Sequence, residues 1–332
     1  MKVLVTGGTG YIGSHTVIEL LNNGHQVTIL DNLSNSKPAV LGRIKQITGQ
    51  QPTFVQADVR SRDTLARVLP GNDAVLHFAG LKAIGESVAQ PLRYYHNNVG
   101  GSIALLEAMA ETGVNTLVFS SSATVYAATE PPPWSESTPL DPINPYGRSK
   151  LMVEDMLRDI AAADPSMRIG LLRYFNPVGA HVSGWLGEDP NGIPNNLLPF
   201  IAQVAAGRLP RLRIFGGDYP TPDGTGIRDY IHVVDLALGH LAALDYLRQN
   251  PGLLTVNLGT GRGYSVLDIV SAFESACGRS IPYDIVDRRP GDIAAGYADP
   301  SRAQALLGWK AERNIVAMCA DAWNWQKQQI RD

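Results

Sequence analysis

Through the first half of the chain, short runs rich in β-branched and aliphatic residues alternate with longer stretches of helical period, the pattern of a parallel sheet covered by helices. Val3–Thr6, Val27–Leu30, Thr53–Gln56, Ala74–Phe78, Thr116–Ser120 and Ile169–Leu172 are the expected strands, and helical stretches begin near Tyr11, Ala39, Arg62, Pro91 and Pro145. Right-handed crossovers then build a doubly wound parallel sheet, an α/β fold of Rossmann-like architecture. After about Asn176 the texture changes to Gly- and Pro-rich loops, as over 184–196 and 216–226, and loops of this kind carry binding residues. Regular structure returns at Val233–Gln249 and Ser265–Gly278, while Val256-Asn257-Leu258 reads as a late strand able to rejoin the sheet. The expected organisation is a first domain over 1–175 and a smaller, interleaved C-terminal α/β domain over 176–332, with the segment near 230–260 returning to the first.

Composition narrows the partner. The 332 residues are enough for a full core, and 44% hydrophobic against 18% charged, with no biased tail, indicates a chain folded throughout. A net charge of -3 argues against a nucleic-acid surface and for a small molecule, while leaving room for a local cationic pocket. Cys277 and Cys319 lie outside any CxxC or His-rich setting, so neither a disulfide framework nor a metal site is expected, and a reducing compartment is. The N-terminus opens directly into Lys2-Val3-Leu4-Val5-Thr6, and no stretch approaches about 18 uninterrupted apolar residues, so the expectation is a cytoplasmic protein away from the membrane.

The strongest local signal is Thr6-Gly7-Gly8-Thr9-Gly10-Tyr11-Ile12-Gly13, directly after the first strand and opening the first helix. Glycines at 7, 10 and 13 let the backbone turn sharply, approach a pyrophosphate and pack the helix on the strand, while the helix N-terminus offers N–H groups to phosphate. Asp31 ends the second strand, where a carboxylate accepts hydrogen bonds from a ribose diol and repels a 2′-phosphate; with Asn32 as a helper, this favours NAD over NADP. Asp58 suits either an adenine amine or a helix cap. Phe78-Ala79-Gly80 puts small residues where the cofactor crosses the sheet edge, and Lys82 suits phosphate or ribose oxygens or a solvated surface.

Tyr146-Gly147-Arg148-Ser149-Lys150, read with Ser120-Ser121-Ser122 at the end of the fifth strand, supplies the chemistry. Positions i and i+4 share a helix face, so the Lys150 ammonium is expected near the Tyr146 phenol and the positive nicotinamide. Both charges favour phenolate, lowering a pKa ordinarily about 10 and making Tyr146 a base near neutrality. Ser122 is expected to hydrogen-bond the reacting oxygen.

A glycine loop, then Ser122, then Tyr146-x-x-x-Lys150 resembles the short-chain dehydrogenase/reductase superfamily, and the length suits its extended branch, which acts on nucleotide sugars. The resemblance sharpens over nearly the whole chain, through VTGGTGYIGSH at 5–15, FAGLKAIGES at 78–87, FSSSATVY at 119–126, LRYFNPVGAH at 172–181 and GTGIRDYIH at 224–232, to the UDP-glucose 4-epimerase family. It implies that tightly held NAD takes hydride from C4 of a UDP-hexose while Tyr146 takes the hydroxyl proton. The 4-keto sugar then turns over and receives the hydride on its other face. Further cofactor contacts are implied at Tyr11, Ile12, Val59 and Asn97. The implied UDP-sugar contacts are Asn176, Asn196, Leu197, Phe215, Arg228, Tyr230, Arg289 and Asp292. Their chemistry agrees: the arginines suit a pyrophosphate, the asparagines sugar or phosphate oxygens, and Phe215 a uracil face. The resemblance also implies a homodimer through a four-helix bundle of Pro91–Glu111 and Pro145–Ala163, where Leu105, Met109, Met152 and Met156 fit an interface and a core equally.

Neighbouring activities are disfavoured. Dehydratases of this kind carry an Asp-Glu pair after the active-site hydroxyl residue and decarboxylating relatives a Glu, whereas Ala123 and Thr124 stand here. The resemblance places Gly296 where bulk restricts the sugar's C2 substituent, so the missing side chain is expected to leave space for N-acetylated UDP-hexoses, UDP-GlcNAc and UDP-GalNAc; the competing reading is a tight turn with another loop filling the gap. Ala127, often glycine in relatives, follows Tyr126. Other NAD-dependent modification of a nucleotide sugar, or a catalytically silent NAD-binding platform, are the alternative functions, and turnover of UDP-galactose separates the latter.

Overall fold

The computed structural model describes residues 1–331 apart from Ile193, Asn195 and Pro290. Its first half runs β1 (Lys2–Thr6), α1 (Tyr11–Asn22), β2 (Gln26–Asp31), α2 (Ala39–Thr48), β3 (Thr53–Gln56), α3 (Arg62–Val68), β4 (Ala74–His77), α4 (Ile84–Ala89), α5 (Pro91–Tyr94), α6 (Gly100–Thr112), β5 (Thr116–Ser122), α7 (Pro145–Ala163) and β6 (Arg168–Tyr174). The second half runs β7 (Asn176–Val178), α8 (Leu197–Ala205), β8 (Leu212–Phe215), β9 (Ile227–His232), α9 (Val233–Gln249), β10 (Gly252–Leu258), β11 (Gly263–Ser265), α10 (Val266–Cys277), β12 (Tyr283–Val286), β13 (Ala295–Gly296), α11 (Ser301–Leu307) and α12 (Ile315–Arg331).

Seven parallel strands form the main sheet in the order β10-β6-β5-β4-β1-β2-β3. Alternation along β1 sorts its side chains to two faces: Val3 and Val5 pack in one apolar cluster with residues of α1, α2 and α9, and Leu4 in another with residues of α3, α6 and α7. Burial on both faces is what makes these strands read as continuous apolar runs. The late strand does rejoin the sheet, as β10 paired to β6 from Gly252↔Arg168 to Leu258↔Tyr174, and α9 packs in the first cluster.

Some boundaries move. β5 continues to Ser122 and β6 to Tyr174, paired at the last position, Ser122↔Tyr174. The stretch from Pro91 is not one helix: a π-turn at Tyr95–Val99 separates α5 from α6, and α4 precedes them. Leu105 and Met109 point into the core, whereas Met152 is 42% exposed. The smaller part centres on β9, which pairs with β7, β11 and β13, beside a β8–β12 pair, and its own apolar cluster joins α8, α10 and α12. Among the described residues no helix is long and apolar enough to cross a membrane, and no cluster of His, Cys, Asp or Glu suits a metal ion.

Candidate active site

The site gathers at the C-terminal ends of the sheet strands, around β1, where the crossovers change direction and an open α/β sheet leaves a crevice. Gly7 has φ +72°, and a Cβ there would lie 2.7 Å from the Ala79 nitrogen; one on Gly13 would lie 2.3 Å from the Gly7 carbonyl. These glycines let the loop fold onto the end of β4 and bring α1 against the loop. Gly10 opens α1 without a side-chain cap, so its first-turn N–H groups, those of Tyr11, Ile12 and Gly13, point toward the loop. The Tyr11 hydroxyl donates to the Gly179 carbonyl at 2.7 Å, tying α1 to the end of β7; Ile12 packs against the core.

Asp31 ends β2 and accepts from the Thr9 and Leu33 amides at 3.1 and 2.9 Å. Asn32 donates to Asp58 at 3.1 Å, and Arg60 holds both Asp58 oxygens at 2.7 Å. That pairing keeps the Asp58 carboxyl well below its ordinary range. Asp58 does not cap the following helix, whose N-cap is Ser61. Val59 is buried against Gly101.

At the end of β4, Phe78 lies 4.8 Å from the His240 ring, Ala79 donates to the Thr6 hydroxyl at 3.4 Å, and Gly80 leaves room beside Asn98 and Lys150. Asn97 donates to the Asn98 side chain at 3.0 Å. Sequence reasoning missed Asn98, whose amide holds both backbone groups of Leu81 and the Ser149 hydroxyl, thereby fixing the loop that carries Lys82 to α7.

Asn144 caps α7 by accepting from the Gly147 amide at 2.9 Å, with Pro145 at the first helical position. Gly147 is glycine because a Cβ there would meet the Thr124 carbonyl at 2.5 Å. This close approach brings Tyr146 toward Ser122, whose hydroxyl favours the phenolate. Thr124 donates to the Ser122 oxygen through its amide at 3.2 Å and its hydroxyl at 3.0 Å. Both are acceptor contacts for Ser122, so its own O–H is free to turn toward Tyr146 and the crevice.

Lys150 is buried, with Nζ donating to the Ser120 carbonyl at 2.6 Å and lying 6.0 Å from the centre of the Tyr146 ring. Burial brings its pKa down to about 8, with Glu154 opposing. The expected lowering of Tyr146 by Lys150 is corrected: burial pushes the phenol up, and the Ser122 hydrogen bond and the charge of Lys82 pull it down without offsetting burial. Behind the site, Glu154 accepts from Arg173 at 3.0 and 2.7 Å and from Ser121 at 2.5 Å, pinning α7 to β5 and β6. Glu154 continues the Tyr146–Lys150 face by four residues, a sequence signal that went unused.

On the other wall, Asn176 is exposed at the start of β7, and Asn196 precedes α8 without capping it, while the first helical residue Leu197 leans on the small domain's core. Arg289 lies over the Phe215 ring at 3.8 Å, and Arg228 reaches Asp292 at 3.8 Å. Tyr230 does not join them as an open polar group: it is buried in the small domain's core, paired with Asn176 through the backbone. Gly296 is buried in β13, and a Cβ there would lie 3.0 Å from the Trp134 ring and 3.2 Å from Ile293. The space expected beside it is taken up by Trp134 and Ile293, as in the competing reading of another loop filling the gap, although no positive φ demands glycine there. The two walls meet through Glu188, which accepts from Lys82 at 2.9 Å and from Asn196 at 2.7 Å.

A glycine loop on a doubly wound sheet, followed by serine, tyrosine and lysine converging on its crevice, defines a class of nucleotide-dependent enzymes. The chain belongs to the NAD dependent epimerase/dehydratase family, whose pattern matches residues 3–259. Its relatives are more specific. The UDP-glucose 4-epimerase of Neisseria meningitidis serogroup C is 59% identical over 98% of this chain and 96% of that protein. The crystal structure of UDP-glucose-4-epimerase from Stenotrophomonas maltophila, with bound NAD and formylated UDP-arabinopyranose, is 54% identical with a TM-score of 0.98, covering 100% of this chain and 99% of that one. That of the Bifidobacterium longum enzyme, in complex with NAD+ and UDP, is 54% identical with a TM-score of 0.96, covering 99% and 98%.

Proposed function

We propose that the chain interconverts UDP-glucose and UDP-galactose by inverting C4, with NAD retained throughout as a cofactor that is neither consumed nor exchanged. The observation that carries this is the convergence of Ser122, Tyr146 and Lys150 beside a glycine loop and Asp31, in a chain nearly co-extensive with UDP-glucose 4-epimerases. The residues present suit NAD: the glycines admit a close backbone approach, the uncapped start of α1 offers amides to a pyrophosphate, and Asp31 ends β2 as a diol acceptor. NAD, when bound, supplies a reversible hydride acceptor for C4. Tyr146 takes the C4 hydroxyl proton, and Ser122, its oxygen already accepting from Thr124, donates to the same sugar oxygen. Lys150, fixed by the Ser120 carbonyl and 6.0 Å from the Tyr146 ring centre, is the ammonium placed to meet a cofactor ribose. Returning the proton and hydride to the other face of the ketone requires only that the sugar turn, and Ala123 and Thr124 provide no carboxylate for elimination.

The division of labour we infer gives the cofactor residues 1–175, with help from the segment near 230–260, and gives the UDP-sugar mainly 176–332. Arg228, Arg289, Asn176 and Asn196 serve the diphosphate and sugar, and Phe215 the uracil. Tyr230 acts through the backbone of β9. The two free thiols suit a reducing, cytoplasmic setting. Purified protein given UDP-galactose without added cofactor should form UDP-glucose; absence of product even after NAD is supplied would remove the epimerase reading.

N-acetylated UDP-hexoses are a second substrate pair, suggested by the position that the family resemblance gives Gly296. Gly296→Tyr must displace Trp134 or Ile293, whose atoms lie 3.0 and 3.2 Å from a Cβ there. The expected result, read by chromatography of UDP-GalNAc and UDP-galactose reactions, is loss of the N-acetyl activity with the plain pair spared. Loss of both, or of neither, contradicts the steric account.

A homodimer is supported by exposed apolar residues on these helices: Val88 on α4, Leu92 on α5 at 80% exposure, Ile103 on α6 and Met152 on α7. Exposed apolar residues of this size suit burial against a second copy. Leu92→Asp combined with Met152→Asp should shift the protein to monomer in light scattering; a dimer of unchanged affinity would place the interface elsewhere.

A further inference from the structure

We propose that Glu188 is a positioning residue that straps NAD into its groove and reports occupancy of the UDP-sugar wall to that groove through Asn196. The inference rests on the reading of the cofactor site above.

In the sheet, β1 lies between β4 and β2, so the glycine loop that follows β1 is flanked by the loop after β4, which carries Lys82, and the loop after β2, which carries Ser34, Asn35 and Lys37. The segment 188–191 is bonded to both flanks. Glu188 accepts from Lys82 at 2.9 Å on one side. On the other, Asp189 accepts from Lys37 at 2.7 Å, and Asn191 donates to the Ser34 carbonyl at 3.2 Å. A segment held at once by the loops after β4 and β2 must cross the C-terminal end of β1, and hence the glycine loop between them. Tyr11, within that loop's helix, lies close enough for the Glu188 charge to act on its phenol. A dinucleotide stretched from Asp31 toward Lys150 would run beneath this segment.

The two ends differ in the burial of their carboxylates. Glu188 is 9% exposed and Asp189 27%, while the lysines that meet them, Lys82 and Lys37, are both 46% exposed. Ion pairs to cations this open contribute little by charge alone, so what separates the ends is the buried carboxylate and its further bonds. Glu188 is the better-buried fastening. It is also the shared one: the same oxygen, Oε1, accepts the Asn196 amide at 2.7 Å. A UDP-sugar that engages Asn196 fixes the amide's other contacts, so it also fixes the strap, and by linkage bound NAD favours UDP binding.

The test is the rate at which NAD leaves NAD-loaded protein during dilution, read by separating free from bound nucleotide, with and without UDP. In the parent, UDP should slow release. Glu188→Gln should release NAD about tenfold faster and lose most of the slowing by UDP, because a charge-assisted bond is removed. Asp189→Asn, which severs only the end with the more exposed carboxylate, should accelerate release about two- to threefold and keep the UDP effect. A merely structural role for Glu188 would lower thermal stability without removing the UDP dependence, so that pattern overturns the proposal. Parental release rates in both variants, with NAD bound, overturn the strap alone. A parent that binds no NAD overturns the strap together with the cofactor reading.

Discussion

Tyr146→Phe should lower the turnover of UDP-galactose by about a thousandfold, within the 10²- to 10⁴-fold range of a positioned acid–base group, while NAD and UDP stay bound. The substitution deletes one oxygen and leaves the ring in place. Burial holds the phenol above its ordinary pKa, with Ser122 and Lys82 opposing. The parent rate should therefore rise with pH as the phenolate forms, and the positive nicotinamide of bound cofactor shifts that rise toward neutrality. In the variant this limb should vanish. Lys150, at about 8, loses its proton as pH climbs above that value, so the parent profile should fall again on the alkaline side. Residual activity within tenfold of the parent would assign the proton transfer to another group.

Gly13→Ala should weaken NAD binding by up to about a hundredfold in a protein that still folds. The added methyl would lie 2.3 Å from the Gly7 carbonyl and 2.9 Å from the Gly8 Cα, both backbone atoms, so neither side chain nor solvent can yield. Relief requires moving α1 off the loop, which misaligns the first-turn amides from the loop they face. Overpacking of this kind costs about 1–3 kcal/mol. At about 1.4 kcal/mol per tenfold, loss of that much from cofactor binding weakens NAD by up to about a hundredfold. Isothermal calorimetry with NAD, alongside far-ultraviolet circular dichroism, separates the two effects. Parental NAD affinity in the folded variant would show that this loop is not where the pyrophosphate lies.

Much of the main sheet could be read from the chain because its central strands are buried on both faces and leave apolar runs, and Val256-Asn257-Leu258, though broken by Asn257, does join the sheet beside β6. The glycine loop and the Tyr146–Lys150 face were readable for a related reason: each is a local backbone geometry with a fixed residue spacing. What escaped depends on contacts between distant segments. Helical periodicity runs through Tyr95–Val99 and hides the π-turn, whose Asn98 is tied to Leu81 and Ser149. Glu188 finds Lys82 across 106 residues, and nothing in its local surroundings announces that partner. Spacing put Lys150 and Tyr146 on one helix face but could not say that the ammonium turns to the Ser120 carbonyl and that burial dominates the phenol. The surroundings of Gly296 are likewise set by Trp134, which belongs to another loop.

The central claim is that hydride leaves C4 and returns to it inside one closed site. UDP-galactose carrying deuterium at C4 tests this when it is brought to equilibrium with the enzyme in ordinary water and the sugar is then analysed by mass spectrometry and proton NMR. The account predicts that UDP-glucose and UDP-galactose both keep the deuterium at C4 and that no label reaches the solvent. Washout of deuterium into water, at a rate comparable with epimerisation, would mean that C4 inverts through an exchangeable proton, and the hydride mechanism would be wrong.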